Sequence, residues 1–289
     1  MLSARIIFFF VFLVSYKLAS AQTTEAASST VSGKGAAKLW SETTVTHHAL
    51  PVVASKENFR KNIVKVNLSS LALENYSLGY ERSLTRKMTC ALGFNVMPET
   101  TLSSIFLVER AIDLYLQDYG FLINELNLAS IANNSFNGEA RFYAGRHSGA
   151  RGLYVSVYGR YASMKAAYPY NYGTNDNTYL LPLQGAFKGL GGGVMIGAQW
   201  LISKRMTFDW YMLGGHYGKT DIAMSAAADL SSLSTTERKD LEGIFEGIND
   251  SFKGVAAVDA SVTDQGLNVT GKGPFAGIRS LGFNLGMTF

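Results

Sequence analysis

Three residues close together in the chain, His216, Asp221 and Ser225, are of the types that hydrolases use as base, orienting acid and nucleophile. Such chemistry requires the three groups in mutual reach. The spacing here gives no compact His-Ser-acid pattern, and residue 218 is Gly rather than a Ser on the same strand face. His216 therefore reads better as a rim histidine than as a general base, and the three stand as weak catalytic candidates. A second set, Glu81, Glu139, Arg141, Arg160 and Asp209, carries both signs of charge on the strand faces opposite the bulky apolar residues. In a narrow enclosure such charges must pair, because an isolated charge away from water is expensive. These five are read as a structural network lining a lumen.

Other chemistry is excluded more simply. His47 and His48 are adjacent imidazoles without further ligands at useful spacing, and Cys90 is the only cysteine, so neither a metal site nor a disulfide framework is expected. Gly189, Gly191, Gly192, Gly193 and Gly197 lack the strand-to-helix context of a dinucleotide loop. The formal charge of +4 is scattered rather than striped, which excludes a nucleic-acid footprint. No cofactor is implied.

The elements that would position these residues are strands of alternating character. Tyr76, Leu78 and Tyr80 share one face while Ser77, Gly79 and Glu81 share the other. Cys90, Leu92, Phe94 and Val96 repeat the pattern, as do Leu153, Val155, Val157 and Tyr161, and Val194, Ile196, Ala198 and Trp200. Large apolar groups on one face with small or polar groups on the other fit a wall between lipid and a polar interior. Eight strands are expected, at about 63–73, 76–83, 89–97, 135–145, 151–165 and 190–201, a seventh that contains Phe208 to Leu213 and has His216 near its external end, and 275–289, with Pro98 ending the third. Phe121 to Leu128 also tolerates a strand reading, which keeps ten strands open. In the seventh strand Phe208, Trp210 and Met212 oppose Asp209, Tyr211 and Leu213.

The connections alternate in length. Those near 84–88, 146–150 and 202–206 are short, whereas inserts of about 98–134, 166–189 and 220–273 separate the other strands. Outer-membrane barrels have short periplasmic turns and longer external loops, which puts both mature termini in the periplasm. Ile105, Val108, Ile112, Leu116 and Tyr119 recur at helical spacing, and Ser234 to Glu237 forms a capping-box pattern ahead of Leu241, Ile244, Phe245 and Ile248. These two apolar stripes must bury against the barrel mouth, the membrane surface or a protein partner. Tyr168, Tyr170, Tyr172 and Tyr179 could pack on them or join the same interface. Tyr80, Trp200, Phe208 and Phe289 fall near one rim, as an interfacial aromatic girdle would.

At the N-terminus, Arg5, the apolar run Ile6 to Val14 and Ala19-Ser20-Ala21 read as a leader of residues 1–21, followed by a flexible arm over 22–61 and a β-barrel domain over 62–289. A soluble sandwich shares the alternation. The leader, the loop asymmetry and the terminal Phe favour the membrane version.

The stretch KVNLSSLALENYSLGYER from Lys65 to Arg82, Gly138 to Tyr143 (GEARFY), Gly152 to Tyr161 and the strand ending in Phe289 resemble the small outer-membrane barrels of Bacteroidota grouped under domain of unknown function 3575. The resemblance implies an all-β, antiparallel transmembrane barrel in the bacterial outer membrane, inserted by the barrel-assembly machinery and in contact with outer-membrane lipid. It implies no catalytic residue. The expected role is a noncatalytic structural or interaction protein, such as an accessory subunit of an envelope complex that meets its partner through the inserts. The alternatives are a small-molecule binding or transport barrel and an enzyme modifying envelope lipid.

Overall fold

The computed structural model describes residues 59–112, 114, 120–145, 147–247 and 257–289. One antiparallel sheet contains β1 (Asn62–Asn67), β2 (Tyr76–Ser83), β3 (Met88–Thr101), β4 (Ser130–Tyr143), β5 (Gly152–Gly173), β6 (Thr178–Leu201), β7 (Met206–Ala227), β8 (Ala257–Thr263), β9 (Gly266–Pro274) and β10 (Gly277–Thr288). Helices α1 (Leu68–Leu71), α2 (Phe106–Ala111), α3 (Gly120–Leu128) and α4 (Thr235–Glu246) lie in the connections. Strands β1 to β7 pair in chain order, and β10 pairs with both β7 and β1, so the pairings of these eight strands return to their start. The β8–β9 hairpin continues the edge of β7 beyond the last residue paired with β10.

The ring has its polarity reversed relative to a soluble core. Leu78, Leu92, Phe94, Leu153 and Val194 are exposed, whereas Glu81, Thr89, Arg141, Gln199, Asp209 and Asn284 are buried. A buried polar set facing a contiguous exposed apolar surface is the informative kind of deviation. On β6 the exposed apolar residues run from Leu190 to Trp200, close to the 9–11 or so residues that a tilted strand needs to cross a bilayer. Above that band the exposed Lys188 and Asp221 are register partners on β6 and β7. Among the described residues no helix is long and apolar enough to cross a membrane.

Several elements depart from the sequence reading. The first strand stops at Asn67 rather than continuing to Leu73, because the Asn67 side chain accepts from Ser70 N at 2.8 Å and starts α1. Glu74, at a left-handed φ of 54°, turns the chain into β2. Strand β3 runs through Pro98, with a register shift between Met97 and Thr100 that absorbs the residue lacking an N–H. The segment 121–128 is helical, not a strand; the extra strand pair is β8–β9, inside the insert expected over 220–273. The segment 166–189 is strand rather than loop: Tyr168, Tyr170 and Tyr172 lie in β5 opposite Leu183, Leu181 and Tyr179 in β6, and the connection between them is residues 174–177.

In β7 the partner on β6 jumps from Leu213 opposite Ile196 to Tyr211 opposite Gly197. Met212 is thereby left over, and Leu213 is exposed rather than inward. A single extra residue reverses the phase of everything beyond it.

The helices pack onto their own chain. In α4, capped by reciprocal hydrogen bonds between Ser234 and Glu237, Leu241 and Phe245 are buried with Leu181, Ile222, Leu267 and Val269 of β6, β7 and β9. Ile244 lies against the same cluster. Tyr172 donates to Glu237 O at 2.9 Å, and Tyr170 meets Phe245 edge-on at 6.1 Å. A second cluster joins Ile105 and Leu102 to Met97, Leu126 and Ile131, with Val108 and Ile112 packed on it. Leu116, Tyr119 and Ile248 lie outside the described residues.

Candidate functional site

The interior begins with side chains that alternation turns inward. Lys65 of β1 pairs with Glu81 of β2, contacts Gln199 of β6, and reaches Asp209 of β7 at 2.6 Å. Arg141 of β4 is the hub: its Nη1 lies 2.8 Å from Asp209 and 3.3 Å from Glu81, and its Nη2 lies 2.7 Å from Glu139. Arg279 of β10 reaches the other oxygen of Glu139 at 3.2 Å. Neutral donors saturate the carboxylates further. Thr89 and Tyr143 donate to Glu81 at 2.6 and 2.8 Å, and Tyr154 donates to Asp209 at 2.8 Å. The Arg141 guanidinium lies over the Tyr154 ring at 4.7 Å.

Lys65, Arg141 and Arg279 thus balance Glu81, Glu139 and Asp209. Each ion has an opposite charge and further hydrogen bonds, the condition under which buried charges are tolerated. Gln199 Nε2 donates to Ala150 O at 2.9 Å, anchoring the cluster beside the short connection between β4 and β5.

Four of the five residues expected to share a lumen network are thus in contact, but Arg160 is not among them. It lines a separate cavity of about 280 Å³ with His216 and Arg279, and its buried Nε has no hydrogen-bond partner. Lys65 and Arg279 were not foreseen. Lys65 had a usable signal, since it sits between the outward Val64 and Val66. Arg279 had none. Gly282 and Asn284 face inward, so strict alternation would turn position 279 outward; the structure nonetheless places Arg279 inward and exposes Ile278.

The weak catalytic set is not assembled. His216 is buried inside the ring, its Nδ1 3.2 Å from the Tyr158 hydroxyl and its ring 4.7 Å from that of Phe275. Asp221 and Ser225 are exposed on the opposite face. Extended strand geometry separates them from His216 by roughly 15 to 30 Å along β7. No nucleophile, base and acid meet there. Among the described residues no group of three or more His, Cys, Asp or Glu could hold a metal ion.

At the end bearing the short connections, Trp200 stacks on Phe208 at 6.1 Å and Phe208 on Phe283 at 5.8 Å. The Tyr80 hydroxyl donates to Asn62 at 2.8 Å, and Asn62 exchanges backbone hydrogen bonds with the exposed Phe289. All four expected rim aromatics therefore lie toward this end. Gly189 makes room for an aromatic ring: a Cβ there would sit 2.3 Å from the Phe275 ring, so glycine lets that ring pack against β6 beside His216.

The family model described as "Protein of unknown function (DUF3575)" matches residues 44–239. No curated protein matches the chain. Among solved structures, the translocator domain of autotransporter NalP from Neisseria meningitidis aligns over 81% of this chain and 90% of that one, at 9% identity and a TM-score of 0.29. A superposition that loose carries no argument.

Proposed function

The chain belongs to the DUF3575 family, and from that premise we propose that it is a noncatalytic, eight-stranded outer-membrane β-barrel whose lumen is blocked by an ion network and whose longest strands build an external lobe. The observation that carries this reading is the reversed polarity of the ring. Its exposed surface is an apolar band ending in aromatics on one side and in Lys188 and Asp221 on the other, while its charges are inside and paired. Only helices or closed barrels satisfy every backbone group within lipid. A ring of eight strands is about wide enough for its own side chains, so the network plugs it rather than lining a channel. On this reading the short connections and both chain termini face the periplasm, biogenesis runs through the barrel-assembly machinery, and lipid is the principal contact. A partner reached through the insert helices loses its main support, because Ile105, Leu241 and Phe245 are already buried within the chain.

Fractionation of cells producing the full chain tests the proposal. The protein should stay with alkali-washed outer membranes, migrate differently on gels before and after boiling, and give no porin-sized conductance steps in planar bilayers. Recovery in the aqueous fraction would sink the membrane reading, and sustained conductance would sink the plug.

A further inference from the structure

Above the ion network the interior does not close up. The cavity of about 280 Å³ is lined by Arg160, Arg279, His216 and Asn137 together with apolar groups including Met97 and Ile131. Its charge is unbalanced: Arg279 is shared with Glu139, but Arg160 has no ion pair among the described residues, and its Nε is buried without a partner. Asn137, its register neighbour, is 4% exposed and lines the same cavity. A buried guanidinium nitrogen left without a partner is rare, since such groups are ordinarily hydrogen-bonded. The site therefore has the composition of an anion receptor with an apolar wall.

The wall itself is interrupted at this level. Strand β1 covers β10 only from Asn284 to Thr288, and beyond Asn67 its place is taken by α1 and residues 72–75. The edge of β10 from Gly277 to Gly282 pairs with β7 alone, and Ser69 of α1 accepts from Phe283 N at 2.7 Å. Ser70 and Leu73 on one flank of this break, with Gly277 and Gly282 on the other, all line the cavity. On the outside of the same break, Leu68, Leu71 and Ile278 are exposed. At about 280 Å³ the cavity falls just below the range of about 300–1,000 Å³ for small-molecule sites. It has room for a headgroup and the start of a chain, not for a whole amphiphile.

We propose that this cavity binds the anionic headgroup of a single-chain amphiphile, a carboxylate or phosphate on an alkyl chain, at Arg160 and Arg279, the chain leaving through the break beside α1. The chain's exit into lipid rests on the barrel reading above; the headgroup site stands on the cavity alone. The test uses full-length protein in a nonionic maltoside detergent, after fractionation has already settled its membrane location. Radiolabelled laurate, dodecanol and inorganic phosphate are compared by retention through gel filtration. Laurate should be retained near one per chain, and dodecanol and phosphate should not. Arg160→Met should weaken laurate retention about tenfold or more, as loss of a charged hydrogen-bonding partner does, while Arg160→Lys keeps most of it. Arg160→Gln takes the place of Arg160→Met if the latter does not fold. Equal retention by the neutral variants overturns the headgroup site. Phosphate held as tightly as laurate overturns the amphiphile in favour of a free anion.

Discussion

The two sides of the ring are built to different heights, and the difference separates what a wall requires from what a protein adds to it. On the low side β1 has 6 residues and β2 has 8. On the high side β5, β6 and β7 have 22, 24 and 22, about twice the 9–11 residues that a bilayer demands. The surplus is not idle. It extends the sheet past Lys188 and Asp221, accepts the β8–β9 hairpin, and supplies the floor on which α4 buries Leu241 and Phe245. The low side does the opposite: it stops early, and a single helical turn stands where a strand would continue. The two sides are joined through the lumen, where Lys65 and Glu81 from the low side meet Asp209 and Tyr154 from the high side around Arg141.

Breaking that junction should have the largest effect. Arg141→Met leaves three buried carboxylates with Lys65 and Arg279 alone, and breaking such a buried network typically costs about 3–5 kcal/mol. Thermal unfolding in detergent, followed by the heat-dependent gel shift, should show a large loss of stability. A variant as stable as the parent would mean that the two sides hold together without the network.

The boundary between wall and lobe can be located on one strand. On the proposed membrane reading, Val194→Lys, within the exposed apolar band of β6, should destabilise the protein by about 2–4 kcal/mol, as a Lys near the bilayer midplane does. Leu180→Lys, also exposed and on the same strand but in the lobe, should cost little. Equal costs at the two positions would erase the distinction between the band and the lobe.

The smallest effect concerns the lobe alone. The Glu237 carboxylate accepts from the Ser234 hydroxyl and backbone N–H, which holds its pKa below the ordinary value of 4.5. The cap therefore stabilises α4 fully above that ordinary value and is lost as the pH falls through the lowered folded-state value. Limited proteolysis within residues 228–247 should be unchanged from neutral pH down to about pH 5, and should accelerate in more acidic solution. Ser234→Ala should remove the acid dependence and cost the helix about 1 kcal/mol at neutral pH. An acid sensitivity that survives in Ser234→Ala would assign it to another group.

Much of the wall was legible because strand alternation is a local property. Leu78 and Tyr80 against Glu81, or Leu153 and Val155 against Tyr154, declare their faces within a few residues. The capping box at Ser234 and Glu237 was legible for the same reason. The length of β5 and β6 was not, because Tyr168 to Tyr172 and Tyr179 to Leu183 have the Pro- and Tyr-rich look of a loop and become strand only by pairing with each other. The β8–β9 hairpin, hidden in a polar insert, is likewise fixed by the free edge of β7.

The sequence by itself determined the facing of the strand residues that keep a strict two-residue phase, and that charges of both signs face in, since that periodicity needs no knowledge of neighbours. Only the tertiary structure decided which charges meet. Met212 shifts the phase of β7, Arg279 turns inward where alternation points it out, and Arg160, expected in the network, is left alone above it. Those outcomes depend on register across strands far apart in the chain, and register is a property of the assembled ring rather than of any one segment.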